Sequence, residues 1–467
     1  MAGDVSRKVR PPAATLPLVG LSGMLAAGEV TSRQLVEECL ANAVAEPTRI
    51  AFTALHEARA RAESDRFDAM RRRGVAIPPF AGIPISIKDI FDEAGEITTA
   101  GSRILAEAPP ATRDACVVAR LKAAGLIVLG RTNLSEFAYN ALGINSFYGD
   151  PLAPFERKRE RVAGGSSSGC AASVADGAAC ISLGSDTGAS IRIPAAFCGL
   201  VGFAPTPHRI SKEGVFPLSP SLDCVGPLGR TVSCCAVFDD ILCGFAGADV
   251  EMAAPASVRV GLPGGRVLDN LDRDVARAYE RALRRLAAAG FDLVDVSMPE
   301  IEEVGSLNAD RGGLVGFEAF AVHRARIERD RERYDPRILR RLESSASLTE
   351  ADHAGLLTER AALKQRAKIS MRGLDVLLLP TVPIIPPPRS TLQDVAHFQR
   401  VNGLVLQNTL FSNFLDLCAV TIPCHEAGEA PVGIMLVGAE NGDRALLAMA
   451  AAVEHFVAPH APHAGWR

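Results

Sequence analysis

Two serine-rich stretches and one lysine are the residues of this chain best suited to catalysis. GGSSSG occupies positions 164–169, and DTGASIR occupies positions 186–192. Serines beside glycines often only close turns, because glycine tolerates positive φ and serine caps loops at little steric cost. The intervening sequence ASVADGAACISLG predicts a buried helix followed by a short apolar strand. Such a unit would cross the core and bring Ser166 and Ser190 together.

Lys88 lies near the end of the segment PPFAGIPISIKDIFD, which predicts an apolar strand bounded by Pro and Gly. Lysines are rarely buried unless they are paired, so one interpretation is an ion pair with Asp89 or Asp92. The alternative is a lysine desolvated among isoleucines and Phe91, whose lowered pKa would make it a neutral base. A serine hydroxyl needs such a base, and neither serine-rich stretch contains a histidine.

The elements around these residues follow an α/β order. DACVVARLKAAGLIVLGRTNLSEFAY predicts an amphipathic helix at 114–124, the buried strand LIVLG and then another helix. Apolar strands return at 258–265, 375–383 and 430–440, with helices between and after them. Strands from both halves of the chain predict one large domain. Residues 309–372 are highly charged and helical, and we expect this insert to cover the active site.

The N-terminal part predicts helices. Basic residues within 7–10 precede an uncharged segment, 11–28, that superficially resembles a signal peptide, but prolines and glycines interrupt its apolar run. Thr31 stands three residues before Gln34, a capping box that opens the helix SRQLVEECLANAVA. The composition of 53–73 predicts a further, exposed helix. We therefore expect helices of a soluble domain here.

Composition favours a small-molecule partner. The chain has 467 residues, is 48% hydrophobic and carries a formal net charge of −4, which leaves no basic surface for nucleic acid. No run of strongly apolar residues is long enough to predict a membrane span. The 11 cysteines form no CxxC pair and no histidine stands at ligand spacing, so no metal site, disulfide framework or cofactor is expected. A reducing, cytoplasmic location follows from this cysteine usage.

These motifs resemble the amidase signature family. The match runs from about 80 to 231 through GIPISIKDIFD, TTAGS, GRTNLSEFAY, AGGSSSG, GSDTGASIRIPAAFCGLVGFAPT and SLDCVGPLGRTV. The spacing is specific, since Lys88 lies 78 residues before Ser166 and Ser190 lies 24 residues after it. Weaker similarity covers about 375–454.

The resemblance implies an α/β fold, a mixed β-sheet sandwiched between helices, in a single large domain. It divides the chain into N-terminal helices that pack on the core (1–75), the signature core (76–245), a strand–helix unit with a variable helical insert (246–374), and C-terminal strands and a helix that complete the same sheet (375–467).

The resemblance also implies amide hydrolysis by a Ser, cis-Ser, Lys triad. Ser190 matches the nucleophile, Ser166 the bridging serine and Lys88 the base. The family places a non-proline cis peptide bond before the bridging serine, here at Ser166 or its neighbour depending on the register. Lys88 would draw a proton through Ser166, which would relay it from Ser190 and later return it to the departing amine. The oxyanion hole would be formed by backbone N–H groups of Thr187, Gly188, Ala189 and Ser190.

Other positions qualify this match. Asp186 and Arg192 flank the nucleophile, and we expect them to fix the loop by ion pairing rather than to contact the substrate. An arginine at 192 could instead bind a carboxylate and would then favour acidic amides. Ala189 replaces a glycine that is usual in the family, and its Cβ restricts φ. Cys170 replaces a usual Ser or Glu after GGSSSG and is assigned to helix packing.

Three alternatives remain open. GGSSSG contains a GxSxG centred on Ser167, but ERKRERVAG before it is a poor strand, and His425 and His455 stand in no recognisable context. The amidase subunit of a tRNA-dependent amidotransferase shares the motifs, and would add nucleic acid and a partner subunit. A noncatalytic binding or scaffold protein is the third. The favoured prediction is a carboxamide or ureide hydrolase with no membrane partner, and a homodimer is possible.

Overall fold

One sheet runs through the whole molecule. The structure is a computed structural model that describes residues 12–309 and 313–458, so the basic residues within 7–10 lie outside the described part. The strands are Phe52–Leu55 (β1), Pro84–Lys88 (β2), Ile127–Thr132 (β3), Ser182–Asp186 (β4), Val201–Ala204 (β5), Cys224–Gly229 (β6), Arg259–Pro263 (β7), Asp292–Val296 (β8), Val376–Pro380 (β9), Cys418–Pro423 (β10) and Gly433–Gly438 (β11).

Helices cover this sheet. They are Leu18–Ala27 (α1), Ser32–Val44 (α2), Glu57–Arg72 (α3), Cys116–Ala123 (α4), Ser168–Ala175 (α5), Arg192–Cys198 (α6), Val232–Leu242 (α7), Arg273–Ala288 (α8), Pro299–Ala309 (α9), Gly313–Asp330 (α10), Pro336–Glu343 (α11), Glu350–Ser370 (α12), Val395–Leu406 (α13), Leu410–Phe414 (α14) and Asp443–Val457 (α15). Among the described helices, none combines the length and the apolar character needed to cross a membrane.

The sheet is mixed and joins distant parts of the chain. Its order is β1-β3-β2-β4-β6-β5-β10-β11-β9-β7-β8. Strand β2 pairs in parallel with β3 and β4, whereas β10 pairs in antiparallel orientation with β5 and β11. The predicted α/β fold with a mixed sheet between helices in a single domain is confirmed, since late strands complete the sheet that the first half begins.

Both faces of the sheet are covered. Along β9, Leu377 and Leu379 pack into one cluster with the N-terminal helices, whereas Val376 and Leu378 pack into a second cluster with α8 and α15. Because neither face meets water, these strands are continuous apolar runs rather than alternating ones. Strands β2 and β4 are also buried at every position, so any polar side chain on them requires a partner inside the protein.

Two local predictions were wrong. The helix expected after β3 is replaced by irregular chain with a three-residue 3₁₀ turn, Glu136–Ala138. Local side-chain bonding competes with a helix there, since Asn133 Oδ1 accepts the N–H of Leu134 over 2.7 Å, and Phe137 and Ala138 have positive φ angles that no α-helix contains. The helix expected from 53 begins only at α3, and the residues before it form the edge strand β1. Four residues at a sheet edge are too short to show a periodic pattern.

The predicted capping box at the start of α2 is formed. Gln34 N–H donates to Thr31 Oγ1 over 3.1 Å, and Thr31 N–H donates to Gln34 Oε1 over 2.8 Å. Thr31→Ala should lower the free energy of unfolding by about 1 kcal/mol, because the helix loses an acceptor for its first turn. Thr31→Ser keeps the hydroxyl and is the control. Equal urea midpoints for the two variants would contradict this prediction.

Candidate active site

Lys88 is the last residue of β2 and is fully buried. Because β2 and β4 run in parallel, their carboxyl ends meet at one edge, which places Lys88 beside Ser185 near the end of β4. The side-chain nitrogen Nζ lies 2.6 Å from Ser166 Oγ and 2.8 Å from Ser185 Oγ. Both of these partners are neutral hydroxyl groups.

The ion pair considered for Lys88 is not formed. Asp89 Oδ1 accepts a hydrogen bond from Arg131 Nε over 2.7 Å, and Asp92 Oδ1 accepts one from Thr98 over 2.7 Å. Within the described residues, no carboxylate lies within ion-pairing distance of Lys88. Burial lowers the pKa of Lys88 to about 8, since the interior disfavours the ammonium form. A substantial fraction of neutral amine is therefore present near neutral pH.

GGSSSG forms a tight loop that leads into α5. Gly164 and Gly165 have φ values of 78° and 56°, a region that residues with a Cβ rarely adopt. A Cβ at Gly165 would also collide with the ring of Pro194. Glycine is thus required at this turn, which directs the buried Ser166 towards Lys88.

The cis peptide bond implied before the bridging serine is not found. In the described part of the chain, the only cis bond joins Glu46 and Pro47. The bonds on either side of Ser166 are trans.

Ser167 is not placed as a nucleophile. It is fully buried, and its hydroxyl donates to the carbonyl of Ser185 over 3.1 Å. His425 is buried beside Val432, and His455 is exposed on α15. The geometry therefore does not favour a nucleophile elbow at GxSxG.

DTGASIR forms the loop between β4 and α6. Ser190 is partly buried and lines a cavity of about 460 Å³. Its backbone carbonyl accepts the N–H of Ser167 over 3.2 Å, so the two serine-rich loops are in contact. Ser190 thus faces a space large enough for a small molecule, next to the residue pair formed by Ser166 and Lys88.

Residues 187–190 present their backbone to this cavity. All four line it, and their N–H groups make no hydrogen bond to any described residue. Ala189 is buried with a φ of 158°, near the extended value, so its methyl group is accommodated. Unpaired N–H groups beside a nucleophile are what an oxyanion hole requires.

Asp186 and Arg192 form a fully buried ion pair that anchors this loop. Arg192 Nη2 lies 2.9 Å from Asp186 Oδ1, and Asp186 Oδ2 accepts the Ile191 N–H over 2.9 Å. Burial would raise the pKa of Asp186, but the Arg192 charge and these hydrogen bonds outweigh it, so the pKa is lowered. The other guanidinium donors bond to residues within 409–413. Enclosed in this way, Arg192 is not available to a substrate carboxylate.

Sequence reasoning missed three residues of this network: Ser185, Asp223 and Asn413. Ser185 contacts Lys88, Asp223 accepts a hydrogen bond from the threonine of DTGASIR over 2.6 Å, and Asn413 donates to Asp186 over 3.0 Å. The strand pattern could have indicated Ser185, because it stands one position before Asp186 on a buried strand. Asn413 belongs to a distant segment in which no motif marks it.

The cavity is enclosed by parts of the chain outside the serine motifs. Besides 187–190, it is lined by 138–141 and by residues of α9, α11 and α13. Helix α11 belongs to the charged region 309–372 that was expected to cover the active site. Four arginines and no carboxylate line the cavity among the described residues. No group of His, Cys, Asp and Glu able to hold a metal ion was found within 12–309 and 313–458.

Comparison with known proteins agrees with this geometry. The sequence model of the amidase family matches residues 34–447. The chain is 34% identical over 460 residues to the 2-amino-5-chloromuconic acid deaminase of Comamonas testosteroni, covering 95% of this chain and 97% of the relative. It is 35% identical over 456 residues to one subunit of the glutamyl-tRNA(Gln) amidotransferase of Synechococcus sp. (strain WH7803), covering 89% of this chain and 91% of that relative.

A crystal structure of an amidase has the same fold. It matches this structure with a TM-score of 0.86 and 33% sequence identity, over 95% of this chain and 100% of that one. The chain therefore belongs to the amidase family and is a hydrolase of carbon–nitrogen bonds other than peptide bonds.

Proposed function

We propose that this amidase cleaves a carboxamide or ureide of a small molecule through an acyl-Ser190 intermediate and releases ammonia or an amine. The observation that carries the proposal is the fully buried side chain of Lys88, 2.6 Å from Ser166 Oγ, with no carboxylate partner among the described residues. The contact between the two serine-rich loops supports a relay from Ser190 through Ser166 to Lys88.

In the proposed reaction, Ser190 Oγ attacks the carbonyl carbon and passes its proton to Ser166, which passes its own proton to Lys88. The N–H groups of 187–190 stabilise the negative charge that develops on the carbonyl oxygen. The C–N bond then breaks as a proton returns from Lys88 through Ser166 to the leaving nitrogen. Water, deprotonated by the same relay, hydrolyses the acyl ester, releases the acid and restores Ser190.

Asp186 and Arg192 act as positioning residues in this proposal. Their ion pair connects the end of β4 to the start of α6, and the Ser190 loop lies between them. The contacts of Arg192 with 409–413 tie the loop to a late part of the chain. Holding the attacking hydroxyl in one orientation lowers the entropic part of the barrier.

A second candidate is glutamine hydrolysis as the amidase subunit of a tRNA-dependent amidotransferase. It is favoured by the 35% identity to one subunit of such an enzyme, and it would add nucleic acid and a partner subunit. Aliphatic amides, aryl amides, ureides and glutamine should be assayed for release of ammonia or an amine by the isolated chain. The second candidate would be favoured if glutamine were the only one of these substrates hydrolysed and if its hydrolysis required a partner subunit. A noncatalytic scaffold would hydrolyse none of them.

Ser190→Ala should abolish covalent labelling by a fluorophosphonate and reduce turnover by about 10⁴-fold or more, because the attacking oxygen is lost. Ser167→Ala is the matched control and should keep appreciable labelling, since the Ser167 hydroxyl bonds only to the backbone of Ser185 among the described residues. Mass spectrometry of the labelled peptide identifies the serine. An adduct on Ser167 would contradict the assignment.

The acylation rate should rise with pH to an alkaline plateau, with an apparent pKa of about 8 that belongs to the coupled Lys88 and serine network. At the ordinary lysine pKa, fewer than about one amine in a thousand is neutral at pH 7, whereas at about 8 the fraction is about one in ten. The rate should rise with pH because the neutral amine of Lys88, which acts as the base, becomes more populated as the pH rises. Single-turnover kinetics across pH measures this profile.

Lys88→Ala should slow acylation by about 10²- to 10⁴-fold, because the general base is removed. Lys88→Arg should slow acylation as well, since a guanidinium stays protonated and cannot act as a base. Circular dichroism checks that both variants fold. Near-normal hydrolysis by Lys88→Arg with an unchanged pH profile would make Lys88 a structural residue and disprove the relay.

A further inference from the structure

Among the described residues, the side chains that line the cavity beside Ser190 include positive charges and no negative ones. The cavity is lined by Arg266, which follows β7, and by Arg337, Arg340 and Arg341 of α11, with no Asp or Glu among the described lining residues. The net charge of the chain is −4, so this cluster does not reflect a generally basic protein. Like charges gathered in a recess repel one another unless an opposite charge is bound between them.

Arg341 is held in place without being neutralised. Its Cζ lies 4.2 Å from the centre of the Tyr139 ring, and its Nη1 donates to the Tyr139 carbonyl over 3.2 Å. Neither contact removes the charge, and most of the five N–H donors of the guanidinium have no acceptor among the described residues. A guanidinium already ordered on an aromatic ring loses little freedom when it binds a carboxylate.

The Arg266 guanidinium forms no ion pair with the described chain, and the neighbouring Glu302 carboxylate accepts the Arg266 backbone N–H over 2.9 Å. Its guanidinium packs on Gly305, where an added Cβ would lie 3.0 Å from Nη1. Its Nε is buried and has no hydrogen-bond partner among the described residues. A buried donor without an acceptor is unfavourable, and a bound anion would satisfy it.

The two remaining arginines of the cavity, Arg337 and Arg340, are less suited to bind an anion. Arg337 is already paired, since its Nη2 lies 3.1 Å from Asp335 Oδ2 and donates to Ser146 over 2.7 Å. Arg340 is exposed and has no partner in the described residues. An exposed charge of this kind attracts an anion over a distance but binds it weakly.

We propose that the substrate is an amide that also carries a carboxylate, which Arg266 and Arg341 bind while the amide lies at Ser190. This inference rests on the amide hydrolysis proposed above and adds the substrate class. Two parallel N–H groups of a guanidinium match the two oxygens of a carboxylate. Val304 and Leu406 offer apolar surface for the carbon chain between the two groups. The cavity of about 460 Å³ accommodates a small molecule of this type.

Succinamate, glutaramate and adipamate test this inference, with the corresponding diamides as uncharged controls. The protein should hydrolyse at least one carboxylated amide with a kcat/KM about tenfold or more above that of its diamide. Arg341→Gln and Arg266→Gln should each lose about 10- to 100-fold for the carboxylated amide, chiefly through KM, and should lose much less for the diamide, so that the preference for the carboxylated amide falls. Arg372→Gln, which removes an exposed arginine outside the cavity, is the matched control and should behave as the unaltered protein.

Calorimetric binding to Ser190→Ala separates this inference from the proposed hydrolysis. The carboxylated amides should bind, and Arg341→Gln in the same background should weaken binding by about tenfold or more. Retained binding without turnover by the unaltered protein would contradict the hydrolysis and support the carboxylate site. The inference would be overturned if no carboxylated amide bound, or if the diamides bound equally well. It would also be overturned if the analogous phosphonates bound more tightly than the carboxylated amides, or if the arginine variants kept the unaltered affinity.

Discussion

A lysine buried at the carboxyl end of β2 with only hydroxyl partners is the constraint on which the site depends. The ammonium form of Lys88 loses its hydration there, and no described carboxylate replaces it. The same desolvation that makes this position unfavourable for a charge lowers its pKa to about 8. A neutral amine of this kind can exist only where a large apolar structure surrounds it, and the cluster that contains Ile87, Ile90 and Phe91 provides that structure.

Parallel pairing of β2 with β4 determines which groups reach Lys88. Their carboxyl ends open at one edge, where β4 continues into the Ser190 loop. Antiparallel neighbours such as β6 present the other end of the strand at that edge. Lys88, Ser166 and Ser185 therefore meet at the edge where β2 and β4 end together.

The late part of the chain completes what the motifs begin. Arg192 is bonded to 409–413, and the side chain of Asn402 in α13 accepts the backbone N–H of Ala141 over 2.8 Å. These contacts join the two serine-rich loops to the helices that enclose the cavity. The loops come from the signature segments, whereas the helices α9, α11 and α13 that line the cavity come from later parts of the chain.

Elements with a strong local pattern were predictable. Strands β2, β9 and β11 follow from their apolar runs, and the start of α2 follows from its capping box, because both signals depend on neighbouring residues. Strand β1 and the irregular chain after β3 were not predictable. A short edge strand acquires its structure from β3, and the chain around Asn140 acquires its structure from side-chain bonds that periodicity does not register.

By itself, the sequence determined the two serine-rich stretches, their order after Lys88 and the glycines that turn the chain at Ser166, because these depend on a few adjacent residues. Only the tertiary structure decided whether Lys88 is an ion-pair residue or a desolvated amine, since that choice depends on where Asp89 and Ser185 point. The tertiary structure also decided the charge of the cavity. Arg266 and Arg341 lie in no motif and come from different segments, and their charges act together only because folding places both in the same recess.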